Sequence, residues 1–354
     1  MRDQPGPGSR TGIREQWQWP PTLDTADHEI EAFQDQVFSA GAPDHLAKHN
    51  DGVYEFALGV LDGPEQDQDP ACHSESRQPL YQAAGEQMAF TMGALDARLD
   101  DARTGRLIRM VVHAQGAAMY TVAIVPSNYV LGIKFTCGEA VAGGPPLPRI
   151  GKIRKADQYT CSLSDKLRKQ LGLGTLNPGG WHTEDQWHPP PGDLPRLHRQ
   201  GPDAAVGDRL AAALHPRSLS YLARFRRGGM VAEADLLADP RVAYGRSPNI
   251  TAEEVRLYYR RLSGGFAEYA RQLARAARDA VRGRVLRIVL DVEQGAVYYY
   301  RLGPADYLIG VTIVQESVSQ ADDTMGELAT ALAGDADGGG RNAGANARVN
   351  PESN

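Results

Sequence analysis

Moved along itself by 178 positions, so that Gly105 falls on Gly283, the sequence meets a diverged copy of itself. Without a gap, that offset pairs Val53 with Val231, Glu55 with Glu233, Leu58 with Leu236, Tyr81 with Tyr259 and Leu95 with Leu273. It goes on to pair Arg109 with Arg287, Val111 with Val289, Tyr120 with Tyr298, Pro126 with Pro304, Tyr129 with Tyr307 and Gly132 with Gly310. Over residues 81–132 roughly a quarter of positions are identical, well above chance for an ungapped stretch. The first copy then inserts a loop, AVAGGPPLPRIGKIRK, after which Ala156-Asp157 resumes against Ala321-Asp322. An internal repeat fixes the unit from which the architecture must be built, so the chain reads as two diverged copies of one unit.

Each copy shows the same order of patterns. Met88, Met92, Leu95 and Leu99 recur at helical spacing, as do Leu262, Phe266, Tyr269, Leu273 and Ala277. After Gly105 and Gly283 come three β-rich runs with short turns, which predict an antiparallel meander. A closing helix is expected from near Ser164 or Ser319. The fold class expected is therefore α+β, with two helix–three-stranded antiparallel meander–helix units related by a pseudo-two-fold axis. The stretches DHLAKHNDGVYEFALGVLDG and SYLARFRRGGMVAEADLLADP read as short helices broken at Gly52 and at Gly228-Gly229. The expected divisions are a disordered tail (1–24), copy one (25–176), a Pro/Gly-rich linker without regular structure (177–216), copy two (217–333) and a second disordered tail (334–354).

Composition narrows the function classes. A formal net charge of -6 argues against a DNA-coating protein. The three cysteines, Cys72, Cys137 and Cys161, are widely spaced with no CxxC, which points to reduced thiols in a cytoplasmic protein rather than to a disulfide framework. No run approaches the roughly 20 apolar residues that span a bilayer, and the first residues lack an apolar signal core. Dinucleotide, P-loop, nucleophile-elbow, zinc-protease and kinase signatures do not occur, so no cofactor is expected and the reading leans away from an enzyme.

The first candidate site is the repeated arginine, Arg109 and Arg287, expected on an open sheet face beside the strand glycines Gly132 and Gly310. His113 and Asp291 share that face. A guanidinium there can hold a carboxylate or phosphate through two bonds, and Asp291 or His113 can act as acid or base in a small-molecule sensor or enzyme. The bland reading of the same residues is a same-face ion pair or a contact between the copies. A second candidate is the basic stripe Arg271, Arg275, Arg278 and Arg282, able to meet nucleic acid or an acidic partner, although a solvated helix face is the simpler reading. In the linker, His182, His188, Glu184 and Asp185 carry metal-binding atoms at a spacing that matches no ligand pattern, so no metal is assigned, and Trp181 and Trp187 are expected to tack the linker onto a domain. PPLPR with Lys152, Arg154 and Lys155 has the form of a polyproline ligand, and Tyr298, Tyr299 and Tyr300 have rings able to stack bases.

Helix, meander and helix, with YLIGVT on the third strand and a polar helix beginning near Ser317, resemble the latter half of a roadblock/LC7 domain. The resemblance covers about half of each copy. It implies a non-enzymatic dimerising platform, a small GTPase as partner, and a tandem pair equivalent to a fused dimer. The usual opening of such domains, a helix and then a two-stranded hairpin, departs from the helical reading of VAEADLLADP. The function expected is a non-catalytic protein-binding or regulatory platform with intramolecular copy–copy pairing.

Overall fold

A computed structural model of the chain describes residues 15–18, 32–33, 41–60, 78–99, 105–136, 150–182, 196–243, 250–281 and 283–338. Its strands are β1 (Glu15–Gln18), β2 (His45–Asn50), β3 (Val53–Val60), β4 (Leu107–Ala114), β5 (Ala117–Val125), β6 (Asn128–Phe135), β7 (His198–Gln200), β8 (Leu219–Arg226), β9 (Gly229–Asp235), β10 (Val285–Val292), β11 (Gly295–Gly303) and β12 (Asp306–Thr312). Its helices are α1 (Gln78–Leu99), α2 (Ile150–Gln170), α3 (Ala204–Ala213), the single turn α4 (Pro240–Ala243), α5 (Ala252–Ala276) and α6 (Val318–Gly338). The strands form one sheet in the order β1-β3-β2-β6-β5-β4-β10-β11-β12-β8-β9-β7, antiparallel at every pairing.

That order reads the same from both ends once equivalent strands are matched. A hairpin (β2–β3 or β8–β9), a long helix (α1 or α5), a meander and a closing helix (α2 or α6) occur in each half, and β4 meets β10 at the seam. The meanders agree with the expectation from the sequence; the hairpins correct it. The two stretches read as broken helices are strand pairs, closed by turns at Asp51-Gly52 (φ 51 and 76) and Arg227-Gly228 (φ 52 and 80). Two successive positive φ values are the type I′ turn that matches strand twist. The period-two pattern was hidden because both sheet faces are covered, so inward and outward positions of β2 and β8 are buried alike.

On one face α1 and α5 lie over the strands. Met88, Met92, Leu95 and Leu99 of α1, Phe266 and Leu273 of α5 and Ala277, which caps α5, pack with Met110, Val112, Ile288 and Leu290. The start of α5 is fixed by a capping box, in which Thr251 Oγ1 accepts from the Glu254 amide while the Glu254 carboxylate accepts from the Thr251 amide. A bulge between Val285 and Arg287 places Val285, rather than Leu286, with this core. On the opposite face α2, α6 and α3 cover Tyr120, Val111, Val289, Tyr298 and Tyr300.

Two further corrections concern loops. The inserted segment of copy one was expected as a loop through Lys155, but α2 begins at Ile150 because Ile150 and Ile153 supply its apolar side. The linker expected to lack regular structure carries β7 and α3, the latter capped by Asp203, whose carboxylate accepts from the Val206 amide at 3.0 Å. The tails lie for the most part outside the described residues, although β1 falls within 1–24 and α6 runs through Gly338. No helix among the described residues is long and apolar enough to cross a membrane.

Candidate functional site

The seam between β4 and β10 carries a cluster of buried charge. Antiparallel pairing sets Arg109 opposite Asp291 and His113 opposite Arg287. Arg109 Nε donates to Asp291 Oδ2 at 2.9 Å and Nη2 to Oδ1 at 3.2 Å, while Nη1 reaches Asp157 of α2 at 2.5 Å. Arg287 makes the corresponding fork with Asp322 of α6, its Nε donating to Oδ1 at 2.9 Å and its Nη2 to Oδ2. Tyr300 Oη donates to the same carboxylate at 2.7 Å. Burial works against the charge on both guanidiniums, but the facing carboxylates outweigh it and hold each arginine firmly protonated.

The two arginines differ in what faces them across the seam. Arg109 has a carboxylate across the seam; Arg287 has His113, whose imidazole is driven down to a pKa of about 3 by burial and then by Arg287 itself. Arg287 Nη1 and His113 Nδ1 have no hydrogen-bond partner among the described residues. The ends of the seam are reciprocal. Gly105 (φ 87) abuts Glu293, and Gly283 (φ 89) abuts Gln115, so each glycine gives room to a turn residue of the other half. The Glu293 amide donates to the Arg106 carbonyl at 3.1 Å and the Gln115 amide to the Arg284 carbonyl at 3.2 Å.

A loop after α2 closes over this cluster. The Asn177 side chain ties its ends, donating to the His182 carbonyl at 2.7 Å and accepting from the His182 amide at 2.9 Å. The Gly179 amide donates to Asp291 Oδ2 at 2.7 Å, and the Trp181 ring lies 5.9 Å from the Arg109 guanidinium carbon. Gln315 of the other half donates to the Asn177 carbonyl at 2.9 Å.

These contacts relocate most of the residues singled out in the sequence. Arg109, Arg287, His113 and Asp291 do come together, but the face expected to be open is covered by α2, α6 and the 177–182 loop; Arg287 is 1 % exposed and Asp291 0 %. The reason is that each closing helix brings its own aspartate to the sheet, which engages the guanidinium expected to hold a ligand and leaves Nη1 of Arg287 buried beneath the cover. Gly132 and Gly310 do mark close approach, though of the closing helices: a Cβ at Gly132 would meet Thr160 Oγ1 at 2.5 Å, and one at Gly310 would collide with the Met325 thioether. Tyr298 and Tyr300 are buried and bonded to Val318 and Asp322, and Tyr299 stacks on Phe266 within the core, so none offers a ring to a base.

In the basic stripe, Arg271 pairs with Glu268 and Arg278 lies 3.9 Å from Asp279, while Arg282 lies outside the described residues. His182 is 3.9 Å from Asp165; His188, Glu184, Asp185 and Trp187 lie outside the described residues, among which no group of three or more metal-binding side chains occurs. PPLPR also lies outside them, and Arg154 of its basic flank pairs with Asp323 of α6.

Two features escaped the sequence reading. Asp157 and Asp322 were visible only as the point where the repeat resumes. The other is a cleft between α1 and α5, lined by Ala83, Gln87, Phe90, Arg98, Gln272 and Arg275, in which Phe90 is 73 % exposed. Its signal is a large apolar residue out of phase with Met88, Met92 and Leu95.

No family model matches the chain, and no curated protein matches it. Among solved structures, the chain is similar to the gliding protein mglB from Thermus thermophilus, at 19 % identity and a TM-score of 0.24, over 40 % of this chain and 99 % of that one.

Proposed function

We propose that the chain is a non-catalytic binding or regulatory platform, formed when one roadblock/LC7-like unit was duplicated and fused. The observation that carries this reading is the strand order, β3-β2-β6-β5-β4 followed by β10-β11-β12-β8-β9, in which two equivalent five-strand sets meet edge to edge. The hairpins β2–β3 and β8–β9, with α3 ahead of the second, also supply the opening that such domains have. The units are residues 25–176 and 217–333, with α3 added to the second, and they pair as the two subunits of a dimer would. The buried ion cluster serves this pairing, which leaves the α1–α5 face for a protein partner. A small GTPase is the partner class that the resemblance implies.

The Phe90→Asp variant tests this platform. The side chain is exposed, so folding should be unaffected, and recovery of partners from the native host should fall selectively relative to wild type. Equal recovery with both proteins would remove the α1–α5 face from the proposal.

A further inference from the structure

We infer that the cleft between α1 and α5 receives one acidic amphipathic helix from a partner protein, a reading that rests on the platform proposed above and specifies the chemistry of what docks there. The cleft runs along α1, which contributes residues from Ala83 to Arg98, against the last turn of α5, which contributes Gln272, Arg275 and Ala276, and the turn beyond it, which adds Asp279. That is about four turns of helix, at roughly 1.5 Å rise per residue. Ala83, Ala84, Ala94 and Ala276 are among its lining residues, and small side chains allow a third helix axis to come close. Phe90, exposed within the same lining, is an apolar anchor of the kind that dominates helix-in-groove recognition.

Charge selects the occupant. Arg98 reaches the cleft from α1 and Arg275 from α5, and neither forms a salt bridge among the described residues, although the Arg98 guanidinium carbon lies 5.6 Å from the Tyr269 ring centre. The neighbouring Arg271 and Arg278, off the cleft, lie beside Glu268 and Asp279, and Asp279 is the one carboxylate in the cleft lining, set against the two guanidiniums. An incoming helix with carboxylates on both flanks of an apolar stripe would be held by these two guanidiniums and centred on Phe90. Only one orientation is available, because the residues equivalent to Phe90, Ala94 and Arg98 in the second unit are Glu268, Gln272 and Ala276.

The test uses the full chain and two fluorescent, helix-stapled peptides that share a leucine stripe, one flanked by glutamates and one by lysines. Anisotropy should show the glutamate peptide binding about tenfold or more tightly than the lysine peptide, with affinity falling as salt is raised. The Arg98→Glu/Arg275→Glu variant should reverse the preference, and Phe90→Ala should weaken both peptides without changing the melting temperature. No binding of the glutamate peptide, or equal binding of both, overturns the inference. So does sedimentation showing a wild-type dimer that Phe90→Asp dissociates, since a second copy would then fill the cleft. Loss of host partners from Phe90→Asp together with a negative peptide result would leave the platform standing while the acidic helix fails.

Discussion

Arg109 and Asp291 lie 182 residues apart in the chain, yet two hydrogen bonds join their side chains across the β4–β10 seam, where both are almost wholly buried. A buried pair of this kind contributes little net stability over apolar packing, but removing one partner strands the other. Arg109→Met should therefore cost about 3–5 kcal/mol, and Asp291→Leu a similar amount. The double variant should cost less than the sum, with a coupling of about 1–3 kcal/mol in a denaturant double-mutant cycle. Additive costs would mean that the two side chains do not meet.

Acid should unfold the chain abruptly. His45 and His113 are held at a pKa of about 3 and His49 at about 4, in each case by burial first. The unfolded histidines titrate near 6.5, so between pH 6.5 and about 4 the unfolded chain binds more protons than the folded one and stability falls as pH falls. Each histidine shifts the folding equilibrium about tenfold per pH unit, and the three together about a thousandfold. The equivalents of His45 and His49 in the second hairpin are Tyr221 and Phe225, as their pairing with Val311 and Tyr307 shows. Denaturation midpoints at pH 7, 6 and 5 should drop steeply for wild type. His45→Tyr/His49→Phe should remove about two-thirds of that slope, and an unchanged slope would contradict burial of the pair.

The two strand glycines should respond unequally to a methyl group. At Gly132 the intruding Cβ meets Thr160 Oγ1, which is itself committed to the Ala156 carbonyl at 2.8 Å, and Tyr120 stands behind it at 3.3 Å. At Gly310 it meets the end of Met325, a side chain with freedom to swing away. Gly132→Ala should cost about 1–3 kcal/mol and Gly310→Ala less, read as shifts in urea midpoint. The reverse order would place α2 further from the sheet than described.

Legibility in the sequence followed how local each signal was. The meanders could be read because β-branched runs and short turns are local, and Gly105 and Gly283 could be aligned because both occupy positive φ. The hairpins could not, since both faces of β2 and β8 are buried and polar residues such as Lys48, Ser220 and Arg224 are buried with the apolar ones, which leaves no apolar–polar alternation to read. The arginines were found through the repeat, yet their partners Asp157 and Asp322 sit on helices far along the chain, and nothing near Arg287 announces that Asp322 will cover it. Likewise, the 177–182 loop is fixed by contacts to Asp291 and Gln315 that no local pattern encodes.

The pairing of the two halves within one chain is tested most directly by crosslinking the end of the seam. Gln115 and Arg284 are exposed and adjacent there, the Arg284 amide donating to Gln115 Oε1 at 3.0 Å. With Cys72 and Cys137 replaced by serine, Gln115→Cys/Arg284→Cys treated with a short bis-maleimide should give a monomeric product whose tryptic map joins the two positions. A product joined only between chains, or two thiols that remain free, would contradict the seam.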